Sequence, residues 1–287
     1  MSLATPSIIR DRYCVHQVTL LEQYDFRDSI ACLARHNIPN VAVWRQKLDD
    51  IGTHEARAIL DDTGVRPHSL CAGVLLGDDS STLLPRVQRL DQLRTLLDQA
   101  NAIQCPTLTV ITGGLVGDRF NPEQTLEHGV KEATETLGEL AHHAKDMGIN
   151  LTLEPLHPMV CGNRSVISTL NDASAMLDAI NMDPIIGITL DTYALWWQTD
   201  LLDQISAWAN RISHLHVSDW LTNTTDLRLD RGMPGDGLIN NRGIRDHLER
   251  CGFTGPVEVE IFSKNNWWQR PGDEVIRTIL SRYQSAL

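Results

Sequence analysis

The 287-residue sequence predicts an α/β chain closed into a single (β/α)8 barrel, with residues 1–287 forming one domain. Short apolar, β-branched runs alternate with segments of helical period from one end to the other. Glycines recur just past the helical segments and shortly before the next strand, at Gly64, Gly148 and Gly252, where a left-handed residue ends a helix. No Gly-rich phosphate turn follows the first run in VHQVTLLEQY, and a doubly wound open sheet would more often have one. The length exceeds that of many single domains, but α/β barrels run to about 250 residues or more as one unit.

The first strand is expected over Tyr13–Val18, the second over Asn40–Trp44 and the third over Pro67–Ala72. Each has the length and the β-branched or aromatic content of a buried strand. Leu83–Ala100 then reads as a helix, because Leu83, Leu84, Val87, Leu90, Leu93 and Leu97 recur close to every 3.6 residues. After a strand over Thr107–Thr112 comes a long helix over Glu123–Met147, with Asn121 as its cap and Pro122 at its first position. The second half repeats the rhythm. Strands are expected over Asn150–Glu154, Ile185–Asp191, Ile212–Val217 and Pro256–Ile261. Helices over Leu170–Ile180, Leu201–Ala209, Ile239–Cys251 and Asp273–Tyr283 follow them in turn.

Composition narrows the function. Apolar residues make up 42% and charged residues 22%, which is ordinary for a globular enzyme and excludes a disordered chain. No uncharged apolar stretch is long enough to span a membrane, and the first residues lack the apolar core of an export signal. A net charge of −12 without a Lys/Arg stripe argues against nucleic acid as a partner. Six cysteines are scattered without a CxxC pair and read as reduced packing thiols, so the cytoplasm is the expected location.

Four strands of the second half end, or nearly end, on a group that binds metal or moves a proton: Glu154 in LTLEPLHP, Asp191 in IIGITLDTY, His216 in ISHLHVSD and Glu260 in PVEVEIFS. In a parallel barrel all strand C-termini open on one mouth, so the four converge. A lone carboxylate at a strand end is usually solvated, and a lone histidine is usually a packed one. Four together, after strongly apolar runs, call for a shared cation to offset their burial. Three carboxylates and one imidazole suit Mn²⁺, Mg²⁺, Co²⁺ or Zn²⁺, with the oxygen-rich set favouring the harder ions.

Further residues are candidate substrate contacts. His157 follows Glu154 by three positions, and Arg231 lies in an R-x-x-P-G-x-G loop. His214 shares a strand face with His216, and Asp219 follows that strand, where it would orient His216 or cap the next segment. Trp44 ends the second strand. Trp196, Trp197, Trp220, Trp267 and Trp268 fall in loops expected at the same mouth, where indoles suit the apolar faces of a sugar or polyol. Tryptophans left exposed there would also suit a homo-oligomer.

The segments LEPLHP, LDTY, HLHVSD, RGMPGDG and VEVEIFS, together with the strand rhythm, resemble the xylose isomerase-like TIM barrels, the sugar phosphate isomerase/epimerase superfamily. The resemblance covers nearly the whole chain. It implies one divalent metal, usually Mn²⁺, held by Glu154, Asp191, His216 and Glu260, with the two glutamates also acting as acid and base. It further implies that Arg231 binds substrate. Two positions depart from the pattern. Many relatives carry histidine three residues after the aspartate, where this chain has Ala194, and some epimerases carry asparagine where it has His157. The missing histidine speaks against the three-zinc DNA-repair endonucleases of the superfamily and weakens a standard ketose 3-epimerase reading. The resemblance thus implies an isomerase or epimerase of a small sugar, keto-polyol or inosose working through an enediolate. A lyase or dehydratase acting on a keto-sugar or glycoside and a non-catalytic sugar-binding barrel are the alternatives.

Overall fold

The computed structural model describes residues 9–77, 84–115 and 125–287. The elements run β1 (Tyr13–His16), α1 (Phe26–Arg35), β2 (Asn40–Trp44), α2 (Arg45–Ile51), α3 (Thr53–Thr63), β3 (Arg66–Val74), α4 (Arg86–Ala102) and β4 (Thr107–Ile111). They continue with α5 (Leu126–Met147), β5 (Asn150–Leu153), α6 (Leu170–Ile180), β6 (Ile186–Asp191), α7 (Thr192–Leu195), α8 (Leu201–Trp208) and β7 (Ile212–Val217). Last come β8 (Asp219–Trp220), β9 (Arg231–Gly232), α9 (Asn241–Arg250), β10 (Val257–Val259) and α10 (Gly272–Ser285).

Eight strands close into a parallel barrel in the order β1-β10-β7-β6-β5-β4-β3-β2. β1 seals it, pairing Val15 with Val259 on one side and with Val41 on the other. The remaining two strands, β8 and β9, form a small antiparallel ribbon that pairs Trp220 with Arg231. Among the described residues, no helix is long and apolar enough to cross a membrane.

Two layers follow from the period of two along each strand. In β1, Tyr13 and Val15 join the main core between sheet and helices, while Cys14 belongs to a separate small cluster with Ala42 and Cys71. The outer layer is large and apolar: Val41, Val43, Leu108, Val110, Leu153, Ile188, Leu190, Leu215 and Val217 are fully buried. Each such side chain contributes roughly 1.5–3 kcal/mol relative to exposure. The barrel interior is smaller and more polar, with a hydrogen bond between the Thr152 and Thr189 hydroxyls at 2.8 Å.

Helix ends follow local chemistry. Thr169 and Asp172 form a reciprocal capping box on α6. Gly64 and Gly148 end α3 and α5 in the left-handed conformation, at φ 70° and 68°. The expected cap Asn121, its neighbour Pro122 and the expected first helical residue Leu83 lie outside the described residues. Within them, α5 is capped by Thr125, which accepts from the His128 N–H at 3.1 Å. The first strand is shorter than expected, because Gln17–Leu20 turns into a 3-10 helix once the His16 imidazole accepts the Val18 N–H. All six cysteines are free, and Cys14, Cys32, Cys71 and Cys105 are buried.

Candidate active site

The strand C-termini bring the four strand-end residues to one end of the barrel. Glu154 is the first residue past β5, and its N–H donates to the Val110 carbonyl at 2.9 Å. Glu260 is the first past β10, and its N–H donates to Val217 at 3.1 Å. Both carboxylates are thus fixed by the barrel ladder rather than by a loop. Asp191 ends β6, and its Oδ1 accepts the Tyr193 N–H at 2.9 Å, which also caps α7. His216 lies one residue before the end of β7 and is 1% exposed.

Glu154, His216 and Glu260 each present a ligand atom within 4.8 Å of the other two. His216 Nδ1 lies 3.4 Å from Glu154 Oε1 and 3.9 Å from Glu260 Oε2. Asp191 stands outside that compact set, joined to it by Arg231, whose Nη1 is 2.8 Å from Glu260 Oε2 and 3.2 Å from Asp191 Oδ2. The guanidinium sits over the rings of Tyr193 (4.4 Å) and Phe262 (5.0 Å), while its backbone N–H bonds to the Phe262 carbonyl at 2.8 Å.

The electrostatics fit a cation. Burial pushes the Asp191 carboxyl up to about 7, with Arg231 pulling it the other way. Burial alone would lower His216, but Glu258 and Glu154 lift it well above the ordinary imidazole range. The cluster therefore draws positive charge from a proton on His216 and from the arginine. A divalent cation meets the same demand with one charge centre. Moreover, His216 Nδ1 is a buried atom without a hydrogen-bond partner, aimed at two carboxylates. The donors are oxygen-rich and include no thiolate, so they suit Mn²⁺ or Mg²⁺ better than a structural zinc.

Above this floor opens a cleft enclosing about 760 Å³, mouth included. Glu154, Asp191 and Glu260 line it together with Trp44, His157 and Arg231. Its walls continue into an aromatic stack. Trp220 lies between His157 and Tyr193, with ring centroids at 4.9 and 5.0 Å, and Trp196 packs on Trp220 at 5.7 Å. Ala194, which stands where many relatives carry histidine, also lines the cleft.

Four expected contacts have other settings. His214 is not among the residues lining the cleft. It points into the barrel interior and stacks on His68 at 4.5 Å, because its strand face runs below His216. Asp219 holds the β8–β9 loop instead: Oδ2 accepts from Gly235 at 2.8 Å and Oδ1 from Ile239 at 2.8 Å. Trp267 and Trp268 are buried packing residues whose indoles donate to Asp236 and to the Val18 carbonyl.

Sequence reasoning missed three inward groups. His16, at the end of β1, is fully buried with Nε2 3.6 Å from Glu260 Oε1, and burial followed by His216 lowers it to about 3. Glu258 lies two residues before Glu260 and so shares its inward face. Its Oε2 is 3.4 Å from His216 Nε2 and 3.1 Å from the Ser69 hydroxyl. His68, on β3, is 3.5 Å from the other Glu258 oxygen. The signal was available: the alternation that links His214 to His216 also links Glu258 to Glu260.

Comparison with known proteins agrees with this architecture. The family model of the xylose isomerase-like TIM barrel matches residues 28–284. An inosose isomerase from Halalkalibacterium halodurans is 23% identical over 281 residues, covering 93% of each protein. A crystal structure of a Sinorhizobium meliloti 1021 protein superposes with a TM-score of 0.90 at 34% identity, covering 97% of this chain and 99% of that one. The IOLI protein, solved with a bound zinc atom, shares the fold at a TM-score of 0.78 and 18% identity, covering 94% of this chain and 95% of that one.

Proposed function

The chain belongs to the xylose isomerase-like TIM barrel family, and from that premise we propose that it is a divalent-metal-dependent isomerase or epimerase of a small sugar, keto-polyol or inosose. One observation supports this most: two glutamates and a histidine converge within 4.8 Å on the floor of an aromatic-walled cleft. Glu154, Asp191, His216 and Glu260 would hold the metal, with Mn²⁺ favoured by the oxygen-rich donors and Mg²⁺, Co²⁺ or Zn²⁺ also compatible. The bound cation supplies Lewis acidity toward the negative charge that develops on a carbonyl oxygen.

The chain's own residues supply the rest. Glu154 projects from the end of β5 and Glu260 from the end of β10, with β6 and β7 between them in barrel order. The two carboxylates therefore approach a bound substrate from different sides. One takes a proton from the carbon next to the carbonyl, and the other returns one, which yields either a moved carbonyl or an inverted centre. Arg231, which pairs with Asp191 and Glu260 at the cleft floor, would donate its fork to a substrate oxygen. The ring of Trp44, which lines the cleft, takes the sugar's C–H face and helps exclude water.

Glu154→Gln and Glu260→Gln test the acid/base assignment. Each should lower turnover by about 10²–10⁴-fold while leaving the circular dichroism spectrum unchanged. The assay follows exchange of solvent deuterium into inososes and ketohexoses by NMR, and conserved product mass separates isomerisation from elimination. Full activity in both variants would sink the assignment.

A further inference from the structure

A second set of metal-ligand side chains lies below the cleft, inside the barrel. We propose that His68, His214 and Glu258 form a second divalent-metal site of zinc type, separate from the site at the mouth. His68 Nε2, His214 Nε2 and Glu258 Oε1 are each buried without a hydrogen-bond partner, and the three lie within 4.8 Å of one another. Glu258 Oε1 is 3.5 Å from His68 Nε2 and 4.0 Å from His214 Nε2. Those gaps are too long for direct N–H···O bonds. They are close to the spacing of ligands around one ion, since bonds of about 2.0 Å in tetrahedral geometry set neighbouring ligands about 3.3 Å apart.

The surroundings orient these atoms for that task. The Ser213 hydroxyl donates to the Thr152 hydroxyl at 3.2 Å, so its oxygen is left to accept from His214 Nδ1 at 3.0 Å. That fixes the proton on Nδ1 and turns the Nε2 lone pair toward Glu258, the arrangement that orients metal-bound imidazoles. Glu258 Oε2 is occupied by Ser69 and faces His216 Nε2, which leaves Oε1 for the ion. Two imidazoles and one carboxylate, with a fourth position for water, match zinc and its neighbours among the transition metals. The side chains of His214 and Glu258 are 4% and 0% exposed, but His68 is 19% exposed, and it marks the way in. Glu258 would then join the two sites, bound to one ion through Oε1 while its Oε2 lies 3.4 Å from Nε2 of His216, a proposed ligand of the other.

Zinc binding to metal-stripped protein tests this, read by elemental analysis after dialysis. Wild type should retain two equivalents, the double variant His68→Gln/His214→Gln one, and Glu154→Gln/Glu260→Gln one. Zinc-edge anomalous diffraction from zinc-soaked wild-type crystals should show a peak between His68, His214 and Glu258, whatever the variants do to folding. Equal zinc in wild type and in His68→Gln/His214→Gln, or a water without anomalous signal at that point, would overturn the proposal. A peak there with none at the mouth would support it while contradicting the proposed mouth site.

Discussion

Arg231 is the residue that pairs with two of the buried carboxylates at the cleft floor. One nitrogen serves two buried carboxylates, and two aromatic rings hold the guanidinium plane. Replacing it with glutamine leaves Asp191 and Glu260 without their cation, and breaking a buried ion pair of this kind costs about 3–5 kcal/mol. Arg231→Gln should therefore melt well below wild type without metal and recover much of the difference in saturating Mn²⁺. A loss of equal size with and without Mn²⁺ would show that the arginine's role is purely structural. Arg231→Lys keeps the charge but not the planar fork, so it should raise KM for keto-sugars more than it lowers kcat. An unchanged KM would remove Arg231 from the substrate. At this scale the sequence was partly legible. Glu154, Asp191, His216 and Glu260 stood out because all four close apolar runs that a parallel barrel brings to one mouth, whereas any one alone would read as a solvated or packed residue. Glu258 was legible only through the alternation that puts it on the same face as Glu260, and His68 has no marked residue two places along its own strand to place it. His16 was hidden by its context, since the apolar residues after it extend the run while its own imidazole turns the chain out of the strand.

Among the elements, α10 does more than close the ring. Asp273 in its first turn bonds His36 at 2.7 Å and Arg35 at 3.1 Å, at the end of α1. The bond from His36, then that from Arg35, holds this carboxyl down at about 2. Its folded value thus lies below the unfolded value of about 3.9. The contact therefore adds its full stability above about pH 4 and loses it as pH falls toward about 2. Asp273 is 39% exposed, so solvent screening limits the contribution to at most about 1 kcal/mol. Asp273→Asn should lower the denaturant midpoint at pH 7 and approach wild type near pH 2.5. An equal loss at both pH values would mean that packing, not charge, sets the effect. Helix positions were well read where a leucine stripe marks the buried face, as in α4, or where a glycine ends the helix, as in α5. The short elements β8 and β9 were not, since their loop is held by the Gly235 and Ile239 N–H groups donating to Asp219, bonds that no local pattern records, and the four-residue α7 is too short for a periodic signal.

For the whole molecule, barrel closure and site assembly share the seam between β1 and β10. Tyr283 of α10 stacks on Tyr13 at 3.9 Å, and its hydroxyl accepts the Cys14 N–H at 3.0 Å and lies 2.8 Å from the Val257 carbonyl, clasping the seam between β1 and β10. That seam carries His16 and Glu260, so the first and last strands meet where the cation is proposed to bind. The alternation of elements predicted the barrel, and the barrel predicted the convergence, because parallel strands bring their C-termini to one mouth. Sequence revealed little of the polar interior beneath the mouth: His214 could be placed there by its shared face with His216, but His68, between Pro67 and Ser69, carries no such mark. The most direct test of the account is Mn²⁺ binding to metal-stripped protein, read by electron paramagnetic resonance for wild type, Asp191→Ala and His216→Ala. The account predicts about one Mn²⁺ per wild-type chain and a loss of binding in both variants. If wild type takes up no Mn²⁺, or both variants bind as wild type does, the proposed metal site is wrong.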